Sequence, residues 1–213
     1  MADRPEPRRY NSPRRSQQAA ATRGEILAAA LRLFEQRGYT ATSMAAIAAE
    51  AGVALKTVYL AFQTKRGLLL ALWHLLLRGD EEPAPVGERP WFREVIDEPD
   101  PERLLRLNAR NSRIVKERAG TLLEILRGAA SADAELDALW TRIQAEFYDN
   151  QRSLVEILQK NNALRSGLDV DRGADILWTL NHPDLYRLLV GDRGWTPELY
   201  EEWLGDAFCS QLL

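Results

Sequence analysis

Apolar residues recur at three- and four-residue intervals along nearly the whole chain, the spacing that lays one stripe on one face of an α-helix. Ile26, Ala30 and Phe34, with Leu27 and Leu31, form the first stripe. Helix-forming sequence begins at about Ser16, although Thr22 and Glu25 also have capping-box spacing. Gly38 predicts the end of this helix. Thr42 stands as N-cap before Met44, Ile47, Ala48 and Ala51, and Gly52 interrupts that second stripe. A third helix over about 54–61 turns Val58 inward, and Thr64 caps a fourth that runs to about residue 78. No period-two alternation, the mark of a half-buried strand, occurs in this stretch.

Pro83, Pro85, Pro90 and Pro99 among acidic residues make 79–100 a connector, with a short helix at about 91–96. Asp100-Pro101-Glu102 opens the next helix with a cap and a first-turn proline. Further helices are predicted at about 101–118, 120–130, 133–161, 171–181, 183–190 and 196–212. Gly167, Gly191 and Gly194 mark breaks, and Pro183 and Pro197 suit first turns. The expected fold is all-α. A flexible basic arm covers 1–15, a three-helix domain 16–63, a connecting helix 64–78 and a larger helical domain 79–213.

Charge changes this picture. Net charge over the 213 residues is only −3, but residues 1–78 carry 12 Lys and Arg against 5 Asp and Glu. The remainder is acidic. A basic first third on an acidic chain points to a polyanion-binding module. The single cysteine, Cys209, excludes an internal disulfide framework and fits a reducing compartment. Two histidines, His74 and His182, are too few for a His-rich metal site, and no cofactor motif is present. The longest apolar run, 68–77, is interrupted by His74 and is too short for a membrane span. The first 24 residues lack the apolar stretch of a secretory signal, so a cytoplasmic protein without a membrane partner is expected.

Residues 43–62 (SMAAIAAEAGVALKTVYLAF) satisfy the pattern of a helix-turn-helix. Ile47, Ala51, Val53, Val58 and Ala61 face inward, Ala48 is small where two helices cross, and Gly52 lies in the turn, where positive φ is needed. DNA binding follows from the agreement of this pattern with the local charge. Residues 22–72 resemble the TetR-type (tetracycline-repressor) family of transcriptional regulators. The likeness rests on Ile26, Ala29 and Phe34, the Gly38-Tyr39-Thr40 turn, and TVYLAF followed by Thr64-Lys65.

That resemblance implies a role for each matching position. Thr42 donates to a phosphate from the start of helix 2. Helix 3 enters the major groove of double-stranded DNA with Ala54, Leu55, Lys56 and Thr57 nearest the bases. Tyr59 contacts a phosphate or a thymine methyl, and Lys65 anchors the backbone. Where family members often carry Ser-Lys-Gly, this chain has Ala54-Leu55-Lys56, and Leu60 and Ala61 replace the aromatics or His that commonly follow the tyrosine. Readout then leans on apolar contacts, DNA shape or an N-terminal arm carrying Arg14 and Arg15. The alternatives are a core-closing ring for Tyr59, solvated charges for Lys65 and Arg66, and an inert tail.

One such small domain buries too little groove surface for tight binding, so a homodimer on a palindromic operator is expected. The apolar positions of the last two major helices supply the interface: Ile176, Leu177, Leu180, Leu199, Trp203, Leu204, Phe208 and Leu212. The C-terminal domain is larger than DNA binding requires, which fits a small apolar or amphipathic effector whose binding lowers DNA affinity. Trp140, Ile143, Phe147, Trp178 and His182, with Asn108, Asn111 and Arg113, are candidate walls of a cavity of about 300 Å³ or more. The function expected is a sequence-specific repressor released by a small molecule. The competing class is an all-α small-molecule-binding protein or enzyme with an accessory helix-turn-helix.

Overall fold

The computed structural model describes residues 13–79, 86–131 and 133–213. Among these residues the structure is helical and contains no strand. The chain divides into two compact units, Met1–Ala71 and Leu72–Leu213.

In the N-terminal unit, α1 (Pro13–Ala41) breaks at Gly38, where φ is +75°. It begins three residues before Ser16, so the last residues of the expected arm are helical, and residues 1–12 lie outside the described residues. α2 (Met44–Glu50) is capped by Ser43, whose Oγ accepts from the Ala46 N–H. Ser43, not Thr42, is therefore the N-cap. α2 ends in a Schellman turn: the Gly52 N–H donates to Ala49 O and the Val53 N–H to Ala48 O. Gly52 takes φ +66°, as that turn requires. The chain bends by 112° into α3 (Leu55–Phe62), within the helix-turn-helix range. Ile26, Ala30 and Phe34 from α1, Ile47 and Ala48 from α2, and Val58 and Phe62 from α3 are buried. Ala61 is exposed, and Phe62 takes the inward place expected of it. α4 runs from Lys65 to Arg78, behind a Thr64 side chain that accepts from the Gly67 N–H.

In the C-terminal unit, a 3₁₀ turn (Val86–Glu88) leads to α5 (Pro90–Ile96), and Asp100 caps α6 (Pro101–Ala130). α6 is continuous through Gly120, where two helices were expected. A mid-helix glycine costs only about 1 kcal/mol, and burial of Ala119, Leu122 and Leu123 on either side offsets it. α7 (Ala134–Lys160) closes with Asn162 at φ +56° in a second Schellman turn. α8 (Val170–Leu180) follows, then the single turn α9 (Pro183–Tyr186), which continues as a π-helix (Arg187–Asp192) straight through Gly191. α10 (Pro197–Leu212) ends the chain and packs along α6, while α7 packs along α6 and α8. Leu104, Leu105, Leu154, Leu158, Leu177, Tyr200, Leu204 and Phe208 form the core between them. No single helix among the described residues is long and apolar enough to cross a membrane.

Candidate nucleic-acid interface and cavities

α3 is held from beneath by Val58 and Phe62 and presents its other face to solvent. Leu55, Tyr59 and Leu60 are 41%, 48% and 76% exposed, beside exposed Ala54 and Lys56 and half-buried Thr57. Apolar side chains this open on a short helix carry no folding role, which sets them apart from the inward residues of the same helix. Tyr59 does not close the small unit's core. Arg23 clamps α3 from below: its Nη1 donates to Ala61 O and its guanidinium lies 4.3 Å from the Phe62 ring centre.

Two residues expected at DNA are engaged inside the unit instead. Thr42 is buried, and its Oγ1 lies 2.8 Å from Gly38 O and 3.2 Å from Leu33 O, so its hydroxyl seals the break in α1. A phosphate cannot reach it. Lys65 Nζ donates to Tyr39 O at 2.8 Å and Thr42 O at 2.9 Å, and sits 4.2 Å from the centre of the Tyr39 ring. Its ammonium thus caps the carbonyls where α1 ends, the favourable sign for a helix C-terminus. Arg14 and Arg15 lie on the first turn of α1; their side chains fall outside the described residues.

The C-terminal unit contains an apolar cavity of about 120 Å³ bounded by α4, α5, α6, α7 and the segment after α8. Of the residues expected to line it, Asn108, Asn111, Ile143 and Phe147 do so, together with Trp73, Leu77, Trp91 and Phe92. Trp140 and His182 line a neighbouring cavity of about 300 Å³, bounded by more charged groups. Lys116, Leu123 and Pro183 border both. The apolar cavity is thus smaller than expected, and the second just reaches the expected size.

Arg113 and Trp178 border neither cavity. Arg113 is ion-paired with Glu201 at 2.6 Å and with Glu117, which raises its pKa further. Trp178 stacks edge-on with Tyr148 and His182. His182 caps α9 through Nδ1, which accepts from the Asp184 N–H, and burial lowers its pKa.

A chain of buried polar groups runs along the cavity wall. Gln151 Oε1 accepts from Asn108 Nδ2 and Asn181 Nδ2, each at 3.1 Å. Lys116 Nζ reaches Asn181 Oδ1 at 2.6 Å and Tyr200 Oη at 2.9 Å. Burial pushes the Lys116 pKa well below its ordinary value and that of Tyr200 well above. Sequence reasoning missed Lys116 because a helical lysine reads as a solvated charge. The available signal was its place on the apolar stripe of α6, between Ala109 and Ala119 and followed by Leu123.

Four of the expected dimer contacts are corrected to core. Leu177, Leu204, Phe208 and Leu212 are fully buried within one chain and have no surface to offer a second. Ile176, Leu180 and Trp203 are half-buried, and Leu199 is exposed.

Comparison with known proteins agrees with this arrangement. The family model for bacterial regulatory proteins, tetR family, matches residues 26–72. The chain is 30% identical over 169 residues to the probable HTH-type transcriptional regulator ArpR of Pseudomonas putida, covering 76% of this chain and 77% of that one. It is 29% identical over 201 residues to the HTH-type transcriptional regulator AcrR of Shigella flexneri, covering 88% and 80%. The same fold occurs in the crystal structure of NalD, the secondary repressor of the MexAB-OprM multidrug efflux pump in Pseudomonas aeruginosa. The TM-score is 0.71 at 23% identity, over 92% of this chain and 98% of that one. The chain belongs to the TetR family of bacterial regulatory proteins, and it is a DNA-binding transcriptional regulator.

Proposed function

We propose that this regulator is a homodimeric repressor that leaves a palindromic operator when a small apolar or amphipathic effector occupies its C-terminal unit. The observation that carries the DNA half is the rigid turn at Gly52, which holds Leu55, Lys56 and Tyr59 outward on α3 in the basic third of the chain. Ala54, Leu55, Lys56 and Thr57 face base edges in the major groove, and Tyr59 faces a phosphate or a thymine methyl. Two such helices about 34 Å apart read the two half-sites, which requires a two-fold dimer. The outward residues of α8 and α10 (Ile176, Leu180, Leu199 and Trp203) form its interface. NalD, of the same fold, is itself a repressor.

The effector half rests on the cavity. Trp73 and Leu77, near the end of α4, border it, and the same helix begins with Lys65 at the end of α1. An occupant that displaces the two side chains acts on a helix shared with the DNA-binding unit. If it prefers the displaced form, linkage lowers DNA affinity by the same factor. The test is selection of bound duplexes from a random pool, followed by anisotropy of the selected site at several salt concentrations. A palindrome, a steep salt slope and release by hydrophobic compounds are expected. A protein that selects no sequence is not an operator-binding repressor.

A further inference from the structure

Lys116 is a buried amine with no carboxylate against it among the described residues. Asn181 Oδ1 and Tyr200 Oη, its two hydrogen-bond partners, are both neutral acceptors. Of the four carboxylates bordering the two cavities, three are engaged by arginines: Glu117 by Arg113, Asp184 by Arg127 and Glu124 by Arg187. The fourth, Glu146, is exposed at the edge of the apolar cavity. A charge held in this way is strongly disfavoured unless a counter-ion arrives. Burial therefore leaves the amine poised between a neutral form, satisfied by the two acceptors, and an ammonium that needs an anion.

A second observation concerns the same cavity. Trp91 and Gln144 both line it, and the Trp91 indole N–H and the Gln144 side-chain oxygen are buried without a hydrogen-bond partner. Such groups are rare in native structures and mark a place where a polar atom belongs. The Gln144 amide, turned end for end, presents N–H instead of oxygen. The unfilled demand of the cavity is then for an acceptor-rich head group on an apolar body.

We infer that the effector is a small carboxylic acid with an aromatic or aliphatic body, its carboxylate paired with Lys116 and its body against Trp73, Phe92, Ile143 and Phe147. This rests on the reading of the cavity as the effector site and names the chemical class it takes. Selectivity follows directly. A carboxylate converts the unpaired amine into a desolvated ion pair. An alcohol leaves the amine without a counter-ion, and an ammonium ligand finds no buried carboxylate among the described residues to receive it.

Three matched probes decide it: phenylacetate, 2-phenylethanol and 2-phenylethylamine, titrated into the full-length protein and followed by tryptophan fluorescence and calorimetry. Phenylacetate should bind about tenfold or more tighter than the alcohol, with the amine weakest. In Lys116→Met the acid should fall to the level of the alcohol. Equal binding of acid and alcohol in the wild type, preference for the amine, no binding up to the millimolar range, or a preserved acid preference in Lys116→Met would each overturn the inference. If Lys116→Met does not fold, the wild-type series decides alone. Anisotropy with selected DNA in the same samples separates the two readings. Intact DNA binding without acid preference sinks only the effector class, and acid preference without DNA binding sinks only the repressor.

Discussion

The ammonium of Lys65 closes on a single residue twice, with its Nζ 2.8 Å from the carbonyl oxygen of Tyr39 and 4.2 Å from the centre of that residue's ring. A third contact, to Thr42 O at 2.9 Å, ties the start of α4 to the end of α1. Lys65→Met keeps the aliphatic stem and removes all three, so it should destabilise the N-terminal unit by about 1–2 kcal/mol. The salt slope of DNA binding should not change. Thermal denaturation and anisotropy at several salt concentrations check both. A slope lower by about one unit with an unchanged midpoint would return Lys65 to the phosphate backbone.

Lys56 is the contrasting cation, exposed on α3. Lys56→Ala should leave the denaturation midpoint where it is and lower the salt slope by about one unit if the amine meets a phosphate. If it meets a base instead, preference among half-site variants shifts while the slope stays nearly constant. Thr57→Val is expected to shift preference alone, and competition between operator variants reads this out.

The helix-turn-helix and several helix ends were legible in the sequence because caps, turn glycines and apolar stripes are local signals, whereas the breaks expected at Gly120 and Gly191 are absent. Asp100, Thr64 and Gly52 all act as the pattern implied. Which of two adjacent hydroxyls caps a helix was not legible. Thr42 and Ser43 are chemically alike, and only the break at Gly38 decides that Thr42 points inward. Nor does an apolar stripe distinguish a protomer core from an interface. Leu177 and Ile176 are neighbours of the same chemistry, yet one is fully buried and the other half-buried. The cavity was legible only in part, since its size depends on how α4 and α5 meet α6, a matter of tertiary packing.

The turn at Gly52 offers a direct measurement of local strain. A Cβ added there meets nothing within 4 Å, so the cost of Gly52→Ala is the backbone conformation alone. With φ at +66°, about 1–2 kcal/mol is expected. Chemical denaturation should show that loss, and DNA affinity should weaken only as far as the folded fraction falls.

The division of α8 and α10 into core and outward residues predicts two different phenotypes. Leu180→Glu with Leu199→Glu should give a folded monomer in sedimentation at micromolar concentration, because each side chain has a surface on which a carboxylate stays solvated. Leu177→Ala should instead cost about 2–5 kcal/mol through the cavity it leaves, with no change of assembly in the fraction that stays folded. If the double variant remains a dimer, the interface lies elsewhere.

Lys116 ties stability to pH with a definite sign. Its pKa is lowered in the folded chain by burial and returns to its ordinary value on unfolding, so the unfolded state binds the extra proton. The native state is favoured above the unfolded pKa, and that advantage is lost as pH falls from about 10.5 towards the folded value. Lys116→Met has no such proton to bind. Relative to the variant, the wild type should therefore lose up to about 1.4 kcal/mol per pH unit between pH 9.5 and 8. Between pH 9.5 and 8 Tyr200 stays mostly protonated in both states, because burial raises its pKa in the folded chain and unfolding returns it only to the ordinary value of about 10. Denaturant midpoints of the two proteins across that window give the slope. Parallel curves would mean that Lys116 stays charged in the folded chain. A saturating carboxylic acid that pairs with Lys116 should flatten the wild-type curve towards that of Lys116→Met, because the bound anion restores the ammonium and with it the missing proton.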